Sequence, residues 1–538
     1  MKPLSAARRV ADEARAARIL WQAGALPRDL GALRAGRRAT EKYGAMGGMP
    51  AAWAAAHPDR IAIIDDRGSL TFRQFGVRVY RLANAFHSEF PDAPATVGIM
   101  CRNHADALVT MSAAAATGAR VVLLNSDFGA RQIAQVSSRE RLDALVYDDE
   151  FAGAVAAFEG KKWAAWNSGE PSDTELDRFI TAAPAGFPPR AARPSSLVIL
   201  TSGSSGIPKG APRGEARSLL LPAGLLSRIP LRGNETALIA APVFHGWGLL
   251  IATLALNLGS TLVLHRRFDA ARALAALEEY RCSTFIAVPT MLRRLVDLGD
   301  AVEAADLSPL RIVASGGARL DPALVGSVAG AFGPVLHNLY GSTEASFISI
   351  ATPEDLRAAP ASAGRPPIGI TVRIADTDGR DLPTGADGRI LVHTPGQIQA
   401  YTDGRSGVGT DGLLDTGDRG HFDAAGRLHV VGRSDGMIVS GGENVFPEEV
   451  ELALLAHPGI ADAAVTAVED AEFGQRLRAY VVAAESGGID AEAVRTHLAE
   501  GLSRSRMPRD IVFVPELSRG SSGKVLRRTL DELKESHQ

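Results

Sequence analysis

The sequence predicts an α/β fold: a large N-terminal domain of mainly parallel sheets with helices, a small β-barrel-like part, and a small α+β C-terminal domain. Three observations predict it. Short apolar runs alternate with helix-length segments from Ile61 to about Val335, turn-punctuated strands follow over 364–432, and the pattern changes again after Arg433. The runs Val97–Met100, Arg120–Leu124, Leu142–Tyr147, Leu197–Leu200, Thr261–Leu264, Thr284–Val288 and Arg311–Ala314 read as strands of β-α units, covered on both faces. Segments such as Ala270–Tyr280, Thr290–Leu298 and Pro322–Ala331 supply the helices between them. The turns Asp378-Gly379, Ala386-Asp387-Gly388 and Ala425-Gly426 mark antiparallel strands. Beyond Arg433 come a helix at Pro447–Ala456, opened by proline and followed by Glu448, Glu449 and Glu451, then strands at Ala463–Val468 and Leu477–Ala483, a helix at Asp490–Leu502 and a strand at Ile511–Val514.

The 538 residues correspond to two to four folding units, and 46% hydrophobic content excludes disorder. A net charge of −3 supplies no field that would recruit nucleic acid. Cys101 and Cys282 lie too far apart for a disulfide framework or zinc cluster and fit a reducing cytosol. No apolar run reaches the roughly 18–20 residues of a membrane span, and the N-terminus lacks a secretory apolar core. The expectation is a soluble, cytoplasmic protein. Residues 1–42 read as a basic helical extension broken near Gly24 and Pro27. Its Ile19, Leu20 and Trp21 would suit peripheral contact with an anionic membrane. The simpler expectation is a helix packed on the body with its arginines solvated.

The most informative stretch is Leu197-Val-Ile-Leu-Thr201-Ser202-Gly203-Ser204-Ser205-Gly206-Ile207-Pro208-Lys209-Gly210. A buried strand enters a loop of hydroxyls and glycines that ends on a lysine, the ingredients of a phosphate cradle. Lysine is scarce here, seven residues against 51 arginines, so its placement is informative. A Walker loop needs Gly-Lys-Ser/Thr opening a helix. Pro208 before Lys209 and Gly210 after it disfavour that class.

This stretch resembles the phosphate-loop signature of the AMP-forming acyl-CoA synthetases, in the adenylate-forming superfamily. Asn338-Leu339-Tyr340-Gly341-Ser342-Thr343-Glu344, Leu414-Asp415-Thr416-Gly417-Asp418, Gly432-Arg433-Ser434-Asp435, Ser440-Gly441-Gly442-Glu443-Asn444 and Arg519-Gly520-Ser521-Ser522-Gly523-Lys524 resemble the family's later motifs, in its order. The resemblance implies that ATP and AMP are held by Thr201, Ser202, Gly203, Ser204, Ser205, Gly206, Lys209, Gly316, Gly317, Ala318, Asn338, Leu339, Tyr340, Gly341, Ser342, Asp418 and Arg433. Tyr340 offers a ring on which adenine can stack, and Asp418 suits the ribose hydroxyls with Arg433 assisting. Thr343 can donate to the α-phosphate, and Glu344 is the expected Mg²⁺ ligand. Gly341 is expected to leave room for the substrate carboxylate.

Lys524 is the implied catalytic lysine. A compact ammonium can approach a carboxylate and an α-phosphate together where a guanidinium fits less well. His245 and Gly246 resemble residues bordering an acyl tunnel, and Ser315–Ala318 resembles a small-residue wall compatible with an extended chain. Asp435 matches the hinge, and Ser440, Gly441 and Gly442 the coenzyme A channel. The expected organisation is an extension at 1–42, a large adenylate-forming domain at 43–432, a hinge at 433–436 and a small mobile domain at 437–538. The expected activity is ATP- and Mg²⁺-dependent ligation of a medium- or long-chain fatty acid to coenzyme A. Transfer to a carrier protein or amine, and aryl or branched acids, are the alternatives.

Overall fold

A computed structural model describes residues 6–530 except 26–28, 170–172, 192, 202–208, 214–217, 435, 437, 441–442, 471–473, 485–487, 503–505 and 521–522. Two sheets carry the large domain. The six-stranded sheet runs Lys161–Trp166, Ala144–Asp148, Thr96–Met100, Arg120–Leu123, Ser196–Thr201 and Lys209–Arg213, parallel except for its last strand. The eight-stranded sheet has a parallel centre of Leu336–Tyr340, Ile312–Gly316, Thr284–Ala287, Thr236–Ile239, Thr261–Leu264 and Ile61–Asp65, with antiparallel edges Ser349–Ala351 and Gly68–Thr71.

Between the sheets lie helices Phe72–Glu89, Ala105–Ala116 and Gly246–Asn257, in one core shared with Ile99, Leu123, Ile239 and Ile286. Every residue of Ala105–Ala116 is buried. A helix covered all round needs no polar face, and its alanines let both sheets close on it. That is why its sequence shows no helical periodicity. Helix Phe72–Glu89 instead opens with a capping box, Thr71 with Gln74, which contributes about 1 kcal/mol.

The N-terminal residues form helices Ala6–Ala23 and Leu30–Ala56, with Asp29 capping the second and a kink at Gly44. The first packs on the body: Ala16 is buried, Ile19 and Leu20 lie against the main core, and Glu13 accepts a hydrogen bond from the Ser218 hydroxyl at 2.7 Å. Trp21 remains 62% exposed. The second is deeply set. A Cβ on Gly47 would lie 2.7 Å from the Ala116 Cα, and the Trp53 indole donates to the Asn257 carbonyl. Among the described residues no helix is long and apolar enough to cross a membrane. Cys101 and Cys282 are free and buried.

Strands Thr371–Ala375, Gly388–His393, Leu414–Phe422 and Leu428–Arg433 form an antiparallel sheet. This is the small β part expected between the parallel sheets and the C-terminal domain. The C-terminal domain is α+β: a five-stranded sheet of Ile438–Ser440, Glu443–Val445, Ile460–Asp470, Gly474–Ala483 and Asp510–Phe513, with helices Pro447–Leu455 and Ala491–Gly501.

Candidate active site

The site collects at the C-terminal ends of the parallel strands, where loops from both sheets and the small domain meet. Strand Ser196–Thr201 pairs antiparallel with Lys209–Arg213, Thr201 opposite Lys209, so the phosphate-loop candidate spans two adjacent strand ends. Ser202, Gly203, Ser204, Ser205 and Gly206 lie outside the described residues, as do Asp435, Gly441 and Gly442. Thr201 ends its strand and Ser440 ends the strand Ile438–Ser440. Gly210 permits a close crossing: a Cβ there would stand 2.7 Å from the Thr402 hydroxyl and 2.8 Å from the Glu140 carboxylate.

The segment after strand Leu336–Tyr340 is a tight, internally bonded turn. Ser346 N–H donates to the Ser342 carbonyl at 2.9 Å, and Ile348 N–H to the Tyr340 carbonyl at 2.8 Å. A Cβ on Gly341 would lie 2.3 Å from the Ser346 carbonyl oxygen and 2.8 Å from the Phe347 Cα. The missing side chain of Gly341 therefore faces its own turn. Glu344 is anchored at both ends, its carbonyl accepting from Ile398 N–H at 2.9 Å and its Oε1 from the Tyr401 hydroxyl at 2.7 Å. Lys209 stands over the Tyr401 ring, 5.5 Å from its centroid. The Arg213 guanidinium donates to the carbonyls of Thr343 and, at 2.8 Å, Gly396.

Tyr340 donates its hydroxyl to Asp418 Oδ2, and Arg433, opposite Asp418 across the strand pair, approaches Oδ1 at 3.5 Å. Burial and the Asp418 charge hold the Tyr340 phenol far above its ordinary pKa, so it stays a donor. In register across the neighbouring strands, Ser315 lies opposite Asn338, and among the described residues the buried Ser315 Oγ and Asn338 Oδ1 have no hydrogen-bond partner. Two orphaned buried acceptors are the kind of feature a ligand amine satisfies. Gly316 and Leu339 are the next register pair, and Gly317 (φ +84°) and Ala318 lead out of the strand. The space beside Gly316 is occupied: a Cβ there would stand 3.0 Å from the Trp247 ring, whose indole donates to the Ala287 carbonyl. The expected roomy wall is thus filled at this point by an aromatic side chain.

The small domain reaches this cleft through Arg519–Val525. Gly520 N–H donates to the Lys524 carbonyl at 2.9 Å, and Arg519 forks onto Asp462 with 2.7 Å contacts. Gly523 (φ +78°) lies so close to Thr290 and Val288 of the large domain that a Cβ would meet them at 3.1 and 3.3 Å. Lys524 reaches solvent along the cleft yet is crowded by protein. Burial, then the Arg433 charge, lowers its pKa, while Asp418 and Glu344 oppose the shift. His245, the residue before helix Gly246–Asn257, is held down to about 4 by burial and then by Lys524, so its imidazole is neutral at pH 7. Lys524, Arg433, Asp418, Glu344 and His245 therefore share one electrostatic neighbourhood.

Arg213 and Tyr401 were not singled out by sequence. Arg213 is one of many arginines, and Tyr401 follows no motif; only the three-dimensional contacts reveal them. A buried trio of Cys101, His104 and Asp148 could be mistaken for a metal centre. Burial would raise Asp148, but His104, the Arg102 N–H and Arg266 outweigh it and bring its pKa to about 2. That carboxylate is already neutralised, with Arg266 3.2 Å from Oδ2. Glu344 is the better cation ligand, since among the described residues its Oε2 makes no hydrogen bond.

Tyr340, Asp418, Arg433 and Glu344 of the large domain thus share their charge environment with a lysine carried by the small one. Residues 51–402 match the model of the AMP-binding enzyme family and 449–524 that of the AMP-binding enzyme C-terminal domain, and the chain belongs to this family as an AMP-forming acyl-CoA synthetase, an acid–thiol ligase. It is 31% identical over 487 residues to a feruloyl-CoA synthase of Amycolatopsis sp, covering 90% of this chain and 97% of that one. It is 30% identical to an indoleacetate–CoA ligase of Aromatoleum aromaticum over 89% of this chain and 96% of the relative. The o-succinylbenzoate CoA synthetase of Bacillus subtilis, solved with its acyl-adenylate intermediate, superposes with a TM-score of 0.78 at 25% identity, over 90% of this chain and 97% of that structure.

Proposed function

We propose that the protein joins a carboxylic acid to coenzyme A in two steps within this cleft, with the roles divided among the residues above. The observation that carries the reading is the convergence of Lys524 from the small domain on Glu344, Asp418 and Arg433 of the large one. In the first step a carboxylate oxygen forms a bond to the α-phosphorus of ATP while the bond to the β-phosphate oxygen breaks, releasing pyrophosphate and leaving an acyl-AMP. Both reactants are anionic, so charge stabilisation dominates. Lys524 bridges carboxylate and α-phosphate; Thr343 donates to the α-phosphate. The 201–210 loop with Lys209 cradles the outer phosphates. Asp418 and Arg433 hold the ribose, and Tyr340 aims Asp418 while presenting its ring to adenine. Ser315 and Asn338 lie with Gly316–Ala318 where the base would be read. Glu344 would hold Mg²⁺, which when bound neutralises phosphate charge.

In the second step the thiol sulfur attacks the acyl carbon, the anhydride bond breaks and AMP leaves; the thiol proton passes to solvent. The proposed division at 42, 432 and 436 lets the small domain turn about 433–436, with Asp435 as hinge, withdrawing Lys524 and bringing Ser440–Gly442 to the pantetheine path. The neutral His245 and Gly246 border the acyl side. A medium- or long-chain fatty acid fits the motifs alone. Trp247 packed on Gly316, together with relatives named for ferulate and indoleacetate, supports the second reading of a compact aryl or branched acid. Burial of both free cysteines supports a reducing cytoplasm. Peripheral membrane contact would rest on Trp21 and Val10. The test is carboxylate-dependent ATP–pyrophosphate exchange over a panel of acids, with and without Mg²⁺. Exchange with aryl acids and none with C8–C16 fatty acids supports the compact reading, and the reverse supports the fatty acid. No exchange with any acid refutes the function. Product formation with carrier protein or amine but not with coenzyme A would replace the acceptor.

A further inference from the structure

Three hydrogen bonds clasp the Thr343–Ala345 segment from outside its own turn, apart from the one made by Arg213. The Ile398 N–H and Tyr401 hydroxyl bond Glu344, and the Thr394 hydroxyl bonds the Ala345 carbonyl at 2.5 Å. Thr402 N–H also donates to the Gly210 carbonyl at 2.9 Å, which fastens the 394–402 segment to the strand that begins with Lys209. Arg213, on that same strand, closes the circuit by bonding both the Thr343 and Gly396 carbonyls. Among the described residues its buried Nε has no partner and it makes no ion pair. A buried guanidinium satisfied only by main-chain carbonyls is a poor way to gain stability. A fork with fixed donor geometry is a good way to fix two chain segments relative to one another.

We propose that Arg213 and Tyr401 form a positioning brace for Thr343 and Glu344, Arg213 setting the main chain and Tyr401 aiming the carboxylate toward the metal-bearing phosphates. The inference rests on the reading that Glu344 serves Mg²⁺·ATP. Tyr401 occupies Oε1 and so presents Oε2, while its ring faces the Lys209 ammonium. One side chain thereby sets the relative positions of the phosphate-loop lysine and the metal carboxylate. Burial, and then the Glu344 bond, raises the Tyr401 pKa, which keeps the phenol a donor at neutral pH.

The test compares R213K, R213Q, Y401F and E344Q with the parent chain by titration calorimetry of a non-hydrolysable ATP analogue with and without Mg²⁺, by pyrophosphate exchange, and by thermal unfolding. The brace predicts that R213Q loses about 10²-fold in exchange kcat, the scale of a small misplacement. Its Mg²⁺-dependent gain in analogue affinity falls at least fivefold, a larger loss than any in metal-free affinity. R213K recovers part of both; Y401F shows a smaller loss of the same kind. Should R213Q fail to fold, R213K and Y401F decide. Wild-type metal-dependent gain and exchange in these variants, with E344Q losing both, overturns the brace and leaves the site reading intact. An unaffected E344Q overturns the site reading itself.

Discussion

Glu344 and Lys524 face the same cleft but are held in opposite ways. Glu344 sits in a turn whose carbonyl and carboxylate are both bonded, beside Tyr340, Asp418 and Arg433 on adjacent strands. Lys524 rides a short loop fastened to its own domain by Arg519–Asp462 and, just beyond, Arg527–Glu451. The large-domain half is preorganised, which avoids reorganisation when charge develops. On the proposed two-step reading the small-domain half moves as a unit, so its charge is supplied for one step and removed for the next.

The sharpest break in this comparison is K524A. Pyrophosphate exchange should fall at least 10²–10³-fold, while acyl-CoA formation from added acyl-AMP stays within a few-fold. Equal losses would mean Lys524 is not specific to the first step. G341A comes next and attacks the rigid half: a methyl 2.3 Å from the Ser346 oxygen forces the turn open. The cost is about 1–3 kcal/mol in denaturant unfolding, with both half-reactions impaired; unchanged stability would show the turn can relax. R519A loosens the delivered half, lowering exchange several-fold with the large domain's stability unchanged, and R519K should restore part of it.

The smallest effect is in pH dependence. Because burial and Arg433 lower the Lys524 pKa, the alkaline limb of exchange should fall below that of an ordinary lysine near 10.5. R433Q removes one depressing charge and should move that limb upward. A limb that stays put would remove Arg433 from the neighbourhood of the reacting ammonium.

Much of this architecture is legible in the residues. Thr261–Leu264 is a strand as read, and Ala270–Glu279 and Pro322–Phe332 are helices within a residue of expectation, because apolar runs and helical periodicity report burial directly. Ala105–Ala116 was silent because burial on every side erases periodicity. The motif residues Glu344, Asp418, Arg433 and Lys524 come together because each lies on a strand or turn that local sequence specifies. Arg213 and Tyr401 stayed hidden because their meaning lies in contacts 130 and 57 residues away. Gly341 was legible as a special position, but the turn that brings the Ser346 and Phe347 backbone against it was not. The Trp247 ring on Gly316 is a packing fact of the same kind.

The account stands on formation of an acyl-adenylate, and isotope transfer reads it directly. With a carboxylic acid labelled with ¹⁸O in both oxygens, attack on the α-phosphorus followed by thiolysis must leave one labelled oxygen in AMP. Mass spectrometry of the recovered AMP should show that single label in each turnover that yields acyl-CoA. Unlabelled AMP, or label in inorganic phosphate, would contradict it.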